Sequence, residues 1–123
     1  MTTQVSSPKT KYQILVAEDD PEMSALLQLM VTRMGHKPVG ATKATEALDH
    51  IQKGHADLML LDLQMPGASG MDLLRSLRRR GLRTPTIVVS GFISADAAKQ
   101  LAELGVQGMV AKPFKQERLV DEI

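Results

Sequence analysis

The residues able to do chemistry in this sequence stand at the ends of short apolar runs. Glu18-Asp19-Asp20 follows Ile14-Leu15-Val16-Ala17, Asp62 follows Leu58-Met59-Leu60-Leu61, Ser90 follows Ile87-Val88-Val89, and Lys112 follows Val110-Ala111 and precedes Pro113. Carboxylates sharing one shallow pocket repel and are driven toward protonation unless a cation answers them. Oxygen-only ligands with no His or Cys nearby select a hard divalent ion, and a few carboxylates plus water suit Mg²⁺. An ammonium and a hydroxyl beside a carboxylate and a metal are the parts that neutralise and orient a phosphoryl group in transfer. In such chemistry Asp62 is the nucleophile, because an Asp carboxylate can attack phosphorus to give an acyl phosphate.

These side chains meet only if the elements before them bring their ends together. Apolar runs too short for helices alternate with longer segments of helical period, the pattern of successive βα units around a parallel sheet. Strands are expected at 13–17, 37–41, 58–61, 86–89 and 107–111, and helices at 21–34, 43–53, 71–80, 94–104 and 115–123. Asp20, Thr42 and Ser94 are the expected helix caps, Pro21 opens the first helix, and Gly35, Gly54, Gly81 and Gly105 stop the helices before them. Pro38 and Gly40 suit the second strand to a sheet edge. The reading is a single α/β domain, a flavodoxin-like (βα)5 doubly wound parallel sheet with strand order 2-1-3-4-5. Strands 1 and 3 are then neighbours, so Glu18, Asp19 and Asp62 converge. Lys112 lies two strands from Asp62, about 10 Å between backbones, a gap only a long side chain spans.

Composition bounds the alternatives. A chain of 123 residues, 43% hydrophobic and 24% charged, has the size and balance of one compact domain. With no cysteine, thiol catalysis, iron-sulfur clusters and Cys-type zinc sites are excluded. The apolar runs are far shorter than the roughly 20 residues that cross a bilayer. Residues 1–12 are polar, lack the apolar centre of a signal peptide and read as a disordered leader; a cytoplasmic location is expected. A net charge of +1 exerts no global pull on nucleic acid. Arg75, Arg78, Arg79, Arg80 and Arg83 read as cations favoured at a helix C-terminus, with no aromatic platform beside them. His36, His50 and His55 read as surface residues.

From Lys11 to Ile123 the sequence resembles a receiver domain of two-component response regulators. The motifs that carry the likeness are Ile14-Leu15-Val16-Ala17-Glu18-Asp19-Asp20, Leu60-Leu61-Asp62-Leu63-Gln64-Met65-Pro66-Gly67 with Gly70, Val88-Val89-Ser90-Gly91, and Val110-Ala111-Lys112-Pro113-Phe114. The resemblance implies that Asp62 accepts a phosphoryl group from a histidine kinase or histidine phosphotransfer protein. It implies that Mg²⁺ is held by Glu18, Asp19, Asp62 and the backbone carbonyl of Gln64, with Glu18 acting through water. Ser90 donates to the phosphoryl group, Lys112 pairs with it, and the Lys112-Pro113 bond is cis. Such a domain catalyses its own phosphorylation and slow dephosphorylation, then alters a partner surface near its fourth and fifth helices. A phosphorylation-dependent dimer is compatible with it; the downstream target is not encoded, and the domain itself contacts neither DNA nor membrane. Asp20 falls outside the acidic pair and is assigned to capping.

Two departures bear on the switch. Met109 stands where the family carries Tyr or Phe, three residues before the lysine, so an aromatic rotamer switch is not expected; a flexible Met specifies such a flip less well. The resemblance implies that Gln64 and Phe92 flank the path of hydrolytic water, and the bulk of Phe92 is expected to lengthen the phosphoryl lifetime. An aspartate-dependent phosphohydrolase would need a second Asp where Gln64 stands. A flavin site would need a phosphate cradle where three carboxylates stand. A degenerate receiver that only binds protein is disfavoured by retention of Glu18, Asp19, Asp62, Ser90 and Lys112.

Overall fold

The structure is a computed structural model that describes residues 12–65 and 69–123. The leader, apart from Tyr12, lies outside the described residues, as does the Pro66-Gly67 part of the second motif. Five parallel strands, β1 (Gln13–Ala17), β2 (Lys37–Ala41), β3 (Leu58–Leu61), β4 (Thr86–Ser90) and β5 (Gly108–Ala111), form one sheet in the order β2-β1-β3-β4-β5. They alternate with helices α1 (Pro21–Arg33), α2 (Ala44–Gln52), α3 (Gly70–Arg79), α4 (Ala95–Glu103) and α5 (Gln116–Glu122). No helix among the described residues is long and apolar enough to cross a membrane.

Side chains alternate across a strand, so each buried strand feeds two cores. Ile14, Val16, Leu60, Ile87, Val89 and Val110 pack toward Leu27, Met30 and Val31 of α1 and Leu119 of α5. Leu15, Ala17, Met59, Leu61 and Val88 pack on the other face against α2, α3 and Leu101 of α4. Fully burying a Leu or Ile contributes about 1.5–3 kcal/mol, so β1 and β3 anchor the sheet while the less buried β2, with Pro38, closes an edge. α4 is the least embedded of the long helices, with Leu101 its one buried residue.

Register is what brings the chemistry together. Ala17 pairs with Leu61 across β1 and β3, so the next residue on each strand, Glu18 and Asp62, emerges level with the other. The Asp62 N–H donates to the Ala17 carbonyl at 3.0 Å and the Glu18 N–H to the Ala41 carbonyl at 3.0 Å, extending the ladder past the strand ends. Ser90 pairs with Ala111, and the Lys112 N–H donates to the Ser90 carbonyl at 2.8 Å.

Boundaries moved slightly from expectation. β4 extends to Ser90, β5 starts at Gly108, and α3 starts at Gly70, where the Ser69 hydroxyl accepts the Asp72 N–H at 3.1 Å. Asp20 and Ser94 cap their helices as expected. Thr42 does not cap α2. Instead Lys43 occupies the cap position, and the Glu46 carboxylate reaches back to the Thr42 N–H at 2.8 Å and the Thr42 hydroxyl at 2.9 Å. A carboxylate in the first turn also meets the positive end of the helix dipole, which a Thr hydroxyl does not.

Candidate functional site

At the carboxyl ends of β1 and β3, one oxygen from each of Glu18, Asp19 and Asp62 lies within 4.8 Å of the others. Glu18 is 1% exposed and Asp62 6%, while Asp19 faces solvent. A buried carboxylate persists only with donors around it. Asp62 Oδ1 accepts from the Ser90 hydroxyl at 3.0 Å and the Gln64 N–H at 3.0 Å, and Oδ2 accepts from Lys112 Nζ at 3.3 Å. Glu18 Oε1 accepts from Lys112 Nζ at 2.6 Å and Oε2 from the Asp20 N–H at 3.1 Å.

Burial pushes the Glu18 carboxyl above its ordinary value; hydrogen bonds from Lys112 and Asp20 resist that, and the charge of Asp62 adds to it. Burial works to lower the Lys112 ammonium, but the hydrogen bond it donates to Glu18 and the charges of Asp62 and Glu18 outweigh it and hold it above its ordinary value. The ammonium form of the lysine is thus favoured, one cation beside three clustered carboxyl groups.

The expected residues Glu18, Asp19, Asp62, Ser90 and Lys112 meet at one rim; Gln64 joins through its N–H on Asp62, not through the carbonyl expected of it. Lys112 does span the sheet, and its shorter contact is with Glu18 on β1, beyond Asp62. The Lys112-Pro113 peptide is cis, as the resemblance implies. Gly70 holds a role that motif reading did not assign. A Cβ there would lie 2.5 Å from the Asp62 carbonyl oxygen and 2.8 Å from the Leu63 Cα, so only glycine lets α3 start against the backbone that carries Asp62. The signal was a glycine opening a helix, where Ser, Thr, Asp or Asn usually precede ordinary helix formers.

The switch positions stand apart. Met109 is half-buried, packs against the core on the α2–α4 face, and its carbonyl accepts from Arg118 Nη2 at 3.3 Å. Phe92 is 72% exposed. Its ring is thus largely in solvent, and its effect on phosphoryl lifetime stays an expectation.

Fold and rim define a class: a doubly wound α/β domain whose strand ends carry a cluster of acids, a hydroxyl and an ammonium. A family model for the response regulator receiver domain matches residues 14–123. The chain is 36% identical over 112 residues to Regulator of RpoS from Escherichia coli K12, covering 90% of this chain and 33% of that protein. It is 31% identical over 115 residues to Sensory/regulatory protein RpfC from Xanthomonas campestris, covering 90% of this chain and 16% of that protein. The BeF3-activated N-terminal receiver domain of Klebsiella pneumoniae RstA superposes with a TM-score of 0.80 at 27% identity, covering 88% of this chain and 92% of that one. This chain belongs to the response regulator receiver domain family. It spans a third or less of the two curated relatives named.

Proposed function

We propose that this domain is a phosphoacceptor that takes a phosphoryl group onto Asp62 from a phosphohistidine of a histidine kinase or phosphotransfer protein. The observation that carries the reading is the Asp62 carboxylate, held level with Glu18 and contacted by Lys112 and Ser90. An Asp62 oxygen forms a bond to phosphorus as the phosphorus–nitrogen bond of the donor breaks, and the departing imidazole takes up a proton from solvent. Lys112, kept protonated by two acids, meets negative charge building on the phosphoryl oxygens. The Ser90 hydroxyl, now donated to Asp62, turns to a phosphoryl oxygen.

The donor set fits Mg²⁺: the clustered ligand atoms are carboxylate oxygens, and exposed Asp19 leaves one side open to a hydrated ion. Glu18, Asp19, Asp62 and the Gln64 carbonyl would hold it. When bound, the ion supplies positive charge against the transferring phosphoryl oxygens. The output follows from the sheet: Ser90 lies on β4, Met109 pairs with Val88 of the same strand, and movement of Ser90 is passed through Met109 to the α4 and α5 surface. Met109 slides where an aromatic ring would flip, so the two states differ by a graded shift.

Incubation with acetyl phosphate and Mg²⁺, read by intact mass, tests this. One phosphoryl group is expected on the wild type and none on Asp62→Asn. Undiminished labelling of Asp62→Asn would move the acceptor elsewhere. Addition of beryllium fluoride, followed by sedimentation, checks whether the loaded form pairs with itself.

A further inference from the structure

Charge is unevenly placed in this fold. Acids gather at the carboxyl ends of the strands and in the first turns of the helices that follow, with Glu22, Asp72 and Asp96 joining the rim carboxylates. The densest cationic stretch lies at the opposite pole, where α3 ends in Arg78, Arg79 and its cap Arg80, and Arg83 follows in the next loop.

Attraction to the helix dipole explains cations in a last turn, yet it does not explain how these are held. Lys53, the cap of α2, pairs with Asp49 at 3.0 Å. Among the described residues, Arg79, Arg80 and Arg83 have no carboxylate partner, and all three are exposed. Arg78 beneath them turns inward and donates to the carbonyls of Leu104 at 2.9 Å, Leu82 at 3.0 Å and Thr84 at 3.2 Å. One guanidinium therefore ties the end of α3, the end of α4 and the loop carrying Arg83 into a single frame. Burial, and then the charge of Arg83, lower the Arg78 pKa, which marks cation facing cation here.

We propose that the arginine-rich end of α3, bearing Arg79, Arg80 and Arg83 on the Arg78 frame, is a docking surface for an Asp/Glu-rich segment of a partner protein. Guanidinium forks match carboxylates two oxygens at a time. Nucleic acid fits this pole less well. No aromatic side chain lies in the 75–83 stretch to stack a base, three exposed cations neutralise few phosphates, and the acidic pole repels a long polyanion.

The test is an NMR titration of the full chain with a short polyglutamate peptide at low salt. Saturable shifts at Arg79, Arg80 and Arg83 are expected, weakening as salt is added. The triple variant Arg79→Gln, Arg80→Gln, Arg83→Gln should lose about tenfold in affinity and keep the wild-type Tm, because exposed pairs are individually weak and these side chains support no core. Arg83→Glu alone, a loop position, gives the same direction of effect should the triple variant fold poorly. The proposal is overturned if no saturable shift occurs, if the variants bind the peptide as well as wild type, or if duplex DNA binds the same residues more tightly. It is equally overturned if the chain self-associates and the triple variant abolishes that, which would make the occupant a second copy.

Discussion

At the amino ends of the strands, polar side chains close backbone hydrogen bonds; at the carboxyl ends they do so too, but are also turned on one another. Asp57 Oδ2 accepts the Gln13 N–H at 2.8 Å, Gln107 Oε1 accepts the Thr86 N–H at 2.7 Å, and Arg78 serves three carbonyls. Each of these groups satisfies a main-chain partner that would otherwise need water, a use that stabilises the fold. At the other rim Glu18, Asp19 and Asp62 crowd together, and Glu18 and Asp62 share one ammonium. Like charges held together oppose folding, and such an arrangement persists where it serves binding or catalysis. The same sheet thus has a structural end and a chemical end.

Arg78→Ala is the most damaging way to break the structural end. It leaves three carbonyls short of a donor in a half-buried setting and is expected to cost about 3 kcal/mol, read as a lower denaturation midpoint. Labelling of the surviving folded protein should be normal; a loss of labelling at unchanged stability would mean that the two ends are not separable. Gly70→Ala strikes the chemical end through its backbone. A Cβ pressed on the Asp62 carbonyl should cost about 1–3 kcal/mol and also slow phosphoryl uptake. Full activity in that variant would show that α3 yields without moving Asp62.

How much of this contrast was legible in the sequence differs between the two ends. β1 and β3 are nearly continuous apolar runs, and their length and the acids that follow them announce both the strands and the rim. Pro38 likewise announces an edge strand. The structural end was not readable in the same way. Arg78 sits in an arginine run that suggests only helix-end charge, and its carbonyl partners, Leu104, Leu82 and Thr84, are set by how α3 and α4 dock. His36 and His50, read as surface, are half-buried, and His36 Nδ1 accepts the Tyr12 N–H at 3.2 Å. Within the site, residue types were legible but pairings were not. Nothing in the spacing says that Lys112 reaches past Asp62 to Glu18, since that depends on side-chain reach across a twisted sheet. Glu46 replaced Thr42 at α2 for a comparable reason, a longer side chain reaching back.

Smaller effects sharpen the comparison. Asp19→Asn removes one exposed acid from the crowded rim. Its metal-free stability should stay within about 0.5 kcal/mol of wild type, in the stabilising direction, while Mg²⁺ binding weakens. A clear loss of stability without metal would mean that Asp19 is structural. Glu46 tests the rule that a cap can sit at the chemical end. Hydrogen bonds from the Thr42 N–H and hydroxyl hold its carboxyl below its ordinary value. The stabilisation is present above the unfolded-state pKa and is lost as pH falls through the lower folded value. Denaturation midpoints of wild type and Glu46→Gln should therefore differ most near neutrality and converge in acid; a gap that persists unchanged into acid would contradict the assignment.

The central claim is that the rim's excess negative charge gathers a hard cation beside Asp62. A Mg²⁺ titration followed by backbone amide shifts addresses it most directly. The account predicts saturable changes centred on Glu18, Asp19, Asp62 and Gln64, with Gln13, Thr86 and Gln107 at the far end unmoved. Flat spectra at the rim, or changes centred on the opposite end, would contradict it.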